Sequence, residues 1–303
     1  MLRRQLTRIG LALGFVACAT ACGRTALAQE RGAPLGSEAI GLHYQDSAPA
    51  AVDTSTPPAA GKLSLVLREA DLAFPVAGFG SPAIWFVGAQ GRDLSLRFTH
   101  FAPALSRFLA PELDSRDVLI GTSRQYAADR AFVGVLATGR FSVGSDASVP
   151  LVTGGYALWR FLLSRNARWG VGVSATSELG TPALVPLLEY VRWSRDWTVD
   201  LRLPLEGDVR WWPSDRVSLG AQWQVRGGEY RTTDKLLPSD TVRVTEGTFA
   251  AVLAFGGRGG PQLELSSGQS LFRQYRALND GRKQVSLDFA PAGYVAGALS
   301  WRY

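Results

Sequence analysis

Polar and apolar side chains alternate along much of this chain. In Val217–Arg226, the positions Val217, Leu219, Ala221, Trp223 and Val225 are apolar, and Ser218, Gly220, Gln222, Gln224 and Arg226 are not. The same two-residue period runs through Trp197–Leu203, Trp169–Thr176 and Leu94–Thr99. Side chains of a strand point alternately to its two faces, so these segments are strands with one apolar and one polar face. A soluble antiparallel sandwich shows the same alternation. Two features favour a membrane barrel. The clear segments run to about ten residues, the length a tilted strand needs to cross a bilayer. Connections also alternate in length. Ser164–Arg168, Ser194–Asp196, Pro213–Arg216 and Gly256–Gly260 are short, whereas Ser142–Val152, Glu178–Pro182, Pro204–Gly207, Gly227–Thr241 and Ser267–Ala292 are longer. Short turns at one rim and longer loops at the other are the habit of outer-membrane barrels.

Tryptophan placement points the same way. Trp169, Trp193, Trp197, Trp211, Trp212 and Trp301 sit beside the short turns or at the C-terminus, as an interfacial aromatic girdle requires. The expected fold is therefore all-β, a closed antiparallel transmembrane β-barrel of about 12 strands, within a range of 10–14, at roughly 20 residues per strand and connection.

The first residues assign a compartment. Arg3, Arg4 and Arg8 precede an apolar run, Ile9–Ala21, that is too short to span a bilayer, and Ala26-Leu27-Ala28 is a small-x-small cleavage site. The reading is a signal peptide over residues 1–28, with a lipoprotein at Cys18 as the competing one. Gln29–Gly61, rich in Ala, Pro, Ser and Gly, is expected to be a flexible periplasmic leader, and Lys62–Tyr303 the barrel domain. Four arginines leave with the signal, so 28 bases face 26 acids in the remainder. The high pI thus gives no support to nucleic-acid binding. Both cysteines leave as well, so no disulfide framework is expected.

The last strand, Gly293–Tyr303, places Val295, Gly297, Leu299, Trp301 and Tyr303 on one face and ends on an aromatic residue. It resembles the C-terminal assembly signal of Gram-negative outer-membrane barrels, with Gly297 departing from the usual large apolar residue. That resemblance implies recognition of Val295, Leu299, Trp301 and Tyr303 by the barrel-assembly machinery. Trp197-Thr-Val-Asp-Leu-Arg-Leu-Pro204 through Trp211-Trp-Pro-Ser-Asp215 to Gly227-Gly-Glu-Tyr230 resembles an outer-membrane barrel family of unknown function. That likeness implies a fold and no activity. Location in the cell outer membrane, among lipid and lipopolysaccharide, follows from both.

Candidate chemistry is sparse. His43 falls in the leader, and His100 shares parity with Leu94, Leu96 and Phe98, with no Ser or Asp at a suggestive spacing. Loop acids such as Glu229, Asp234 and Asp240 read as solvated surface. No metal or cofactor motif stands out, and Gly256–Gly260 joins strands without opening a helix, so it is a turn rather than a phosphate loop. The polar strand face remains. With the apolar set toward lipid, Arg97, Thr99, Arg160, Thr198, Asp200, Arg202, Gln222, Gln224 and Arg226 line the interior. Three functions compete. One is a small porin-like channel for small solutes with an arginine-containing, anion-favouring lumen. Another is a non-conducting structural or ligand-binding barrel that acts through its outer loops. The third is an outer-membrane hydrolase. A non-enzymatic channel is the leading expectation.

Overall fold

The computed structural model describes residues 38–53, 61–76, 83–126, 131–141, 151–164, 166–176, 183–232, 238–258 and 260–302. The expected signal peptide, residues 29–37 and 54–60 of the expected leader, Asp234 and Tyr303 lie outside them.

The described chain is almost entirely antiparallel strand. In order these are β1 (Glu38–Ser47), β2 (Ala50–Ala51), β3 (Lys62–Val76), β4 (Ala83–Thr99), β5 (Glu112–Tyr126), β6 (Ala131–Phe141), β7 (Leu151–Ser164) and β8 (Ala167–Thr176). Then follow β9 (Ala183–Trp193), β10 (Trp197–Leu203), β11 (Glu206–Ser214), β12 (Val217–Arg231), β13 (Thr241–Gly256), β14 (Gly260–Asn279), β15 (Arg282–Phe289) and β16 (Ala292–Arg302). One turn of helix, α1 (Pro103–Ser106), interrupts the β4–β5 connection. No described helix is long and apolar enough to cross a membrane.

All strands join one sheet, in which β3 to β14 each pair with their neighbours in chain order. β16 pairs with Gly260–Ser270 of β14, and β15 with Arg273–Asn279 of the same strand. β1 pairs with β16 along one edge and with β3 along the other, in matching register: Gly41 lies opposite both Ser300 and Asp71, and Gln45 opposite both Ala296 and Leu67. β2 continues along β3 beyond β1.

Sixteen strand segments replace the dozen expected, for two reasons. Glu38–Ser47, assigned to the leader, is a strand, with Leu42 and Tyr44 exposed and Gly41, Gln45 and Ser47 buried. Its composition hid an alternation only seven residues long. Ser267–Ala292, expected as one long loop, continues β14 to Asn279 and returns as β15. Asp280 and Gly281, at φ +50° and +72°, form the two-residue turn. Positive φ at both central positions matches the twist of a hairpin and favours Asp-Gly.

One face of the sheet is buried and the other exposed, but the chemistry of these faces changes along the strands. In β8, Trp169, Val171 and Val173 lie on the exposed face, and Gly170 and Ser174 on the buried one. In the lower part of β14, Leu263 and Leu265 are exposed while Gln262 and Glu264 are buried. Here apolar side chains face outward and polar ones inward. Towards the other end the order inverts. In β4, Leu94 and Leu96 are buried and Ser95 and Arg97 exposed, and in β13, Val242 and Val244 are buried between Thr241, Arg243 and Thr245. The buried cluster at this end joins Leu63, Leu65 and Leu67 of β3 to Leu94, Leu96, Leu113, Tyr230, Val242, Val244, Tyr275, Ala277, Leu287 and Phe289. It is an ordinary water-excluding core, placed at one end of the strands.

A candidate functional site on the buried face

The strands β7 to β11 aim a charged layer into the buried face. Register puts Arg160 opposite Gly170, Gly170 opposite Glu189, Glu189 opposite Arg202, and Arg202 opposite Glu206. The Arg160 guanidinium grips Glu189 in a fork, with Nε and Nη2 at 2.6 and 2.7 Å from its two oxygens. Arg168 Nε approaches the same carboxylate at 3.5 Å and Arg202 Nε at 3.9 Å. Arg202 also bonds Glu206 at 2.6 Å and Asp200 at 3.3 Å. Glu189 is 2 % exposed, so three guanidiniums compensate one carboxylate away from water, where an unpaired charge would be costly. Gly170 fits this geometry, because a Cβ there would stand 3.3 Å from Arg160 Cγ and 3.0 Å from the Trp159 carbonyl.

A second group reaches across several strands. Arg210 of β11 binds Asp208 at 2.5 Å and Glu264 of β14 at 2.9 and 3.0 Å. A third lies beneath the apolar core. Arg92 Nη2 binds Glu69 at 3.1 Å while its Nη1 donates to the Gly227 carbonyl of β12 at 3.1 Å, and Gln90 donates to Glu69 as well. Arg273 pairs with Glu246 at 2.5 Å, and Gln45 donates to Glu246 at 3.4 Å. His43 Nε2 stands 3.8 Å from Asp71.

Above this layer the β4–β5 connection folds onto the core. The Ala110 N–H donates to Tyr275 Oη at 3.0 Å, and that hydroxyl donates to the Phe108 carbonyl at 2.8 Å. Phe98 meets Tyr275 edge-to-face at 5.4 Å and Phe101 at 5.7 Å. The buried phenol thus pins a loop through both its donor and acceptor functions. Cα atoms of β5 and β12, seven places apart in the sheet order, come within 8 Å of each other.

Of the residues expected to line an interior, Arg160, Thr198, Asp200, Arg202, Gln222, Gln224 and Arg226 have their registers on the buried face. Thr198 Oγ1 accepts from Trp212 Nε1 at 3.0 Å. Arg97 and Thr99 stand on the exposed face, because β4 has already inverted its polarity at their level. Among the tryptophans, Trp197 and Trp211 lie directly opposite one another and are exposed, as is Trp301. Trp169 stacks on Phe161 at 4.5 Å. Trp193 departs from the girdle, because its register sets it opposite Thr198 on the face of Glu189 and Val191, under Arg168 at 4.9 Å. Trp212 differs as well. It is buried beneath Arg258, since consecutive residues of a strand cannot share a face. Val295 and Leu299 are exposed with Trp301. His100 is an exposed residue at φ +63°, just past β4.

Sequence reasoning missed Glu69, Arg92, Glu189, Arg210, Glu246, Glu264, Arg273 and Tyr275. Glu264 had a signal in the alternation of Gln262, Glu264 and Ser266 with Leu263 and Leu265. Glu189 had little, because β9 is apolar on both faces around it. With these acids included, the three groups hold eight carboxylates against six guanidiniums, and an anion preference no longer follows from their composition. Among the described residues no group of three or more His, Cys, Asp and Glu could hold a metal ion.

No family model matches the chain, and no curated protein matches it. Several solved structures align with the chain. The COG4313 outer membrane channel from Pseudomonas putida F1 aligns at 11% identity and TM-score 0.43, covering 92% of this chain and 100% of that one. A TodX monoaromatic hydrocarbon channel mutant, deltaS2, aligns at 10% identity and TM-score 0.34, covering 87% and 89%. A second TodX mutant, deltaS2S3, gives 11% and 0.33 over the same shares.

Proposed function

We propose that this protein is a channel-like outer-membrane β-barrel whose passage is shut at one end in the conformation described. The carrying observation is the polarity of the sheet over most of its length, with large apolar side chains outward and ionised ones inward. Leu184, Val295, Leu163, Val118, Ile120, Phe249, Leu263 and Leu265 are all exposed, several by more than half their surface. Water outside would leave this band unpaid for, whereas a bilayer supplies the missing apolar contact.

Closure is supported by β1, which is hydrogen-bonded on both edges. With β2 continuing β1 along β3, and β15 and β16 sharing one edge of β14, fourteen strand positions surround the interior. Both described ends, Glu38 and Arg302, then lie on the rim of the short turns 194–196 and 215–216. We assign that rim to the periplasm and the apolar-cored end to the outside. A barrel of this circumference can hold a passage, and its charged layer suits small polar or ionic solutes. Arg92 bridging to Gly227 and the loop pinned by Tyr275 close the outer end. A non-conducting barrel is the competing reading, favoured by the same two contacts.

Conductance of the refolded chain Gln29–Tyr303 in a planar bilayer separates them, on material that shows a heat-dependent gel shift. The channel reading expects rare openings in the wild type and frequent, salt-dependent steps in Tyr275→Ala and Arg92→Ala. Folded variants that remain as silent as the wild type overturn it.

A further inference from the structure

Where the polarity inverts, the outward face of β12 to β15 turns basic, and one pair of residues there is unusual. Arg243 of β13 and Arg276 of β14 are directly opposite each other in the ladder, both on the outward face, between buried Val242 and Val244 and buried Tyr275 and Ala277. Like charges in this position repel and destabilise a sheet unless something between them carries the opposite sign. Arg243 is held from one side by Glu229, its Nε 2.7 Å from Oε2. Arg276 forms no ion pair among the described residues. Its Nη2 donates to Gln274 at 3.0 Å, and its buried Nε has no hydrogen-bond partner. Opposite it on β15 is Ser286, a hydroxyl, with Asp288 opposite Gln274 on one side and exposed Lys283 opposite Leu278 nearer the hairpin turn.

The height of this pair is informative. The outward apolar residues end at Phe249 on β13 and Phe272 on β14. Arg276 lies four residues beyond Phe272, about 9 Å along the membrane normal for a strand tilted by ~45°. The polar zone outside the hydrocarbon core is itself roughly 5–8 Å deep on each side. The backbone of Arg276 therefore lies at the outer edge of the headgroup zone, and its long stem can bend back to bring the guanidinium among the headgroups.

We infer that Arg243 and Arg276 form a docking site for a phosphate of the outer-leaflet glycolipid, the phosphorylated, acylated sugar that faces this part of the barrel wall. A phosphate between the two forks would occupy the unpartnered Nε–H of Arg276 and remove the repulsion across the ladder. Arginine suits this role because its planar fork binds phosphate oxygens in pairs. The acyl chains would lie over Phe249, Leu271 and Phe272 below. The inference rests on the membrane reading proposed above.

The test is a binding titration of the purified full chain by native mass spectrometry, using bisphosphorylated lipid A and the same lipid with both phosphates removed. A heat-shift gel checks folding first. The wild type is expected to prefer the phosphorylated form by about tenfold or more. Arg276→Gln should lose most of that preference, Arg243→Gln and Arg276→Gln together should lose all of it, and Arg216→Gln at the opposite rim should keep it. A double variant that folds and retains the preference overturns the inference while leaving the barrel reading intact. Inorganic phosphate competing as well as lipid A would show a free-phosphate site and overturn the lipid assignment. Failure of the wild type to fold into a bilayer at all would overturn both readings.

Discussion

Two stretches of one strand show what decides the inside of this protein. In β14, Leu263 and Leu265 point outward and Gln262 and Glu264 inward, while a dozen residues later Tyr275 and Ala277 point inward and Gln274 and Arg276 outward. A bulge at Leu271 of β14, which is left over between the pairs Gly247–Phe272 and Thr248–Ser270, lies between the two stretches and shifts the register by one residue. Both stretches alternate with period two, and both bury one face. On the membrane reading proposed above, what differs is the solvent outside. The lower stretch has the polarity expected against lipid, and the upper stretch has that of a soluble sandwich closing on its own core. Alternation reports that a strand has two faces. Which of them is apolar reports the medium beyond the wall.

The largest expected effect tests the interior of the lipid-facing region. Replacing Glu189 with Ala removes the buried carboxylate shared by Arg160, Arg168 and Arg202, and should cost about 3–5 kcal/mol in denaturant unfolding from vesicles. Next comes a matched pair on the outer face. Leu265→Arg should cost roughly 2–4 kcal/mol, as for a cation introduced at mid-bilayer depth. Ser95→Arg, on the same face of the upper region and opposite Glu112, should stay within about 0.5 kcal/mol. Equal costs would erase the distinction between the regions. Trimming the upper core by Leu65→Ala should cost ~2–4 kcal/mol, with the loss appearing first as faster amide exchange in β3 and β4. A smaller effect, about 1–2 kcal/mol, is expected for Tyr275→Phe, which removes the hydroxyl shared by Ala110 and Phe108. It should be read as increased exchange of the Ala110 amide with the lower region unchanged.

The strand-rich architecture was legible in the sequence wherever one polarity held over a whole strand, as in Trp169–Thr176 and Val217–Arg226. It failed where the polarity switched. Leu94, Leu96 and Phe98 alternate as cleanly as any segment, but assigning their apolar face to lipid placed Arg97 and Thr99 on the wrong side, since the rule assumed one medium throughout. The Asp280-Gly281 hairpin carried its local signal and was passed over because polar outward residues around it resembled a loop. β1 was hidden by the Ala- and Pro-rich composition of its surroundings. Part of the charged layer was visible as Arg160, Asp200 and Arg202. Their partners were not, because Glu189 and Glu264 come from strands distant in sequence and only register brings them together.

The most direct test is a depth profile along β14. The only cysteines, Cys18 and Cys22, belong to the expected signal. Single cysteines can therefore be placed at Leu263, Leu265, Leu271, Gln274 and Arg276 in Gln29–Tyr303 and labelled with a fluorophore in vesicles. Quenching by brominated lipid should be strong at the first three positions, and quenching by aqueous iodide strong at the last two, with the crossover between Leu271 and Gln274. Iodide reaching Leu263 and Leu265, or lipid quenching that continues through Arg276, would contradict the change of medium on which the account rests.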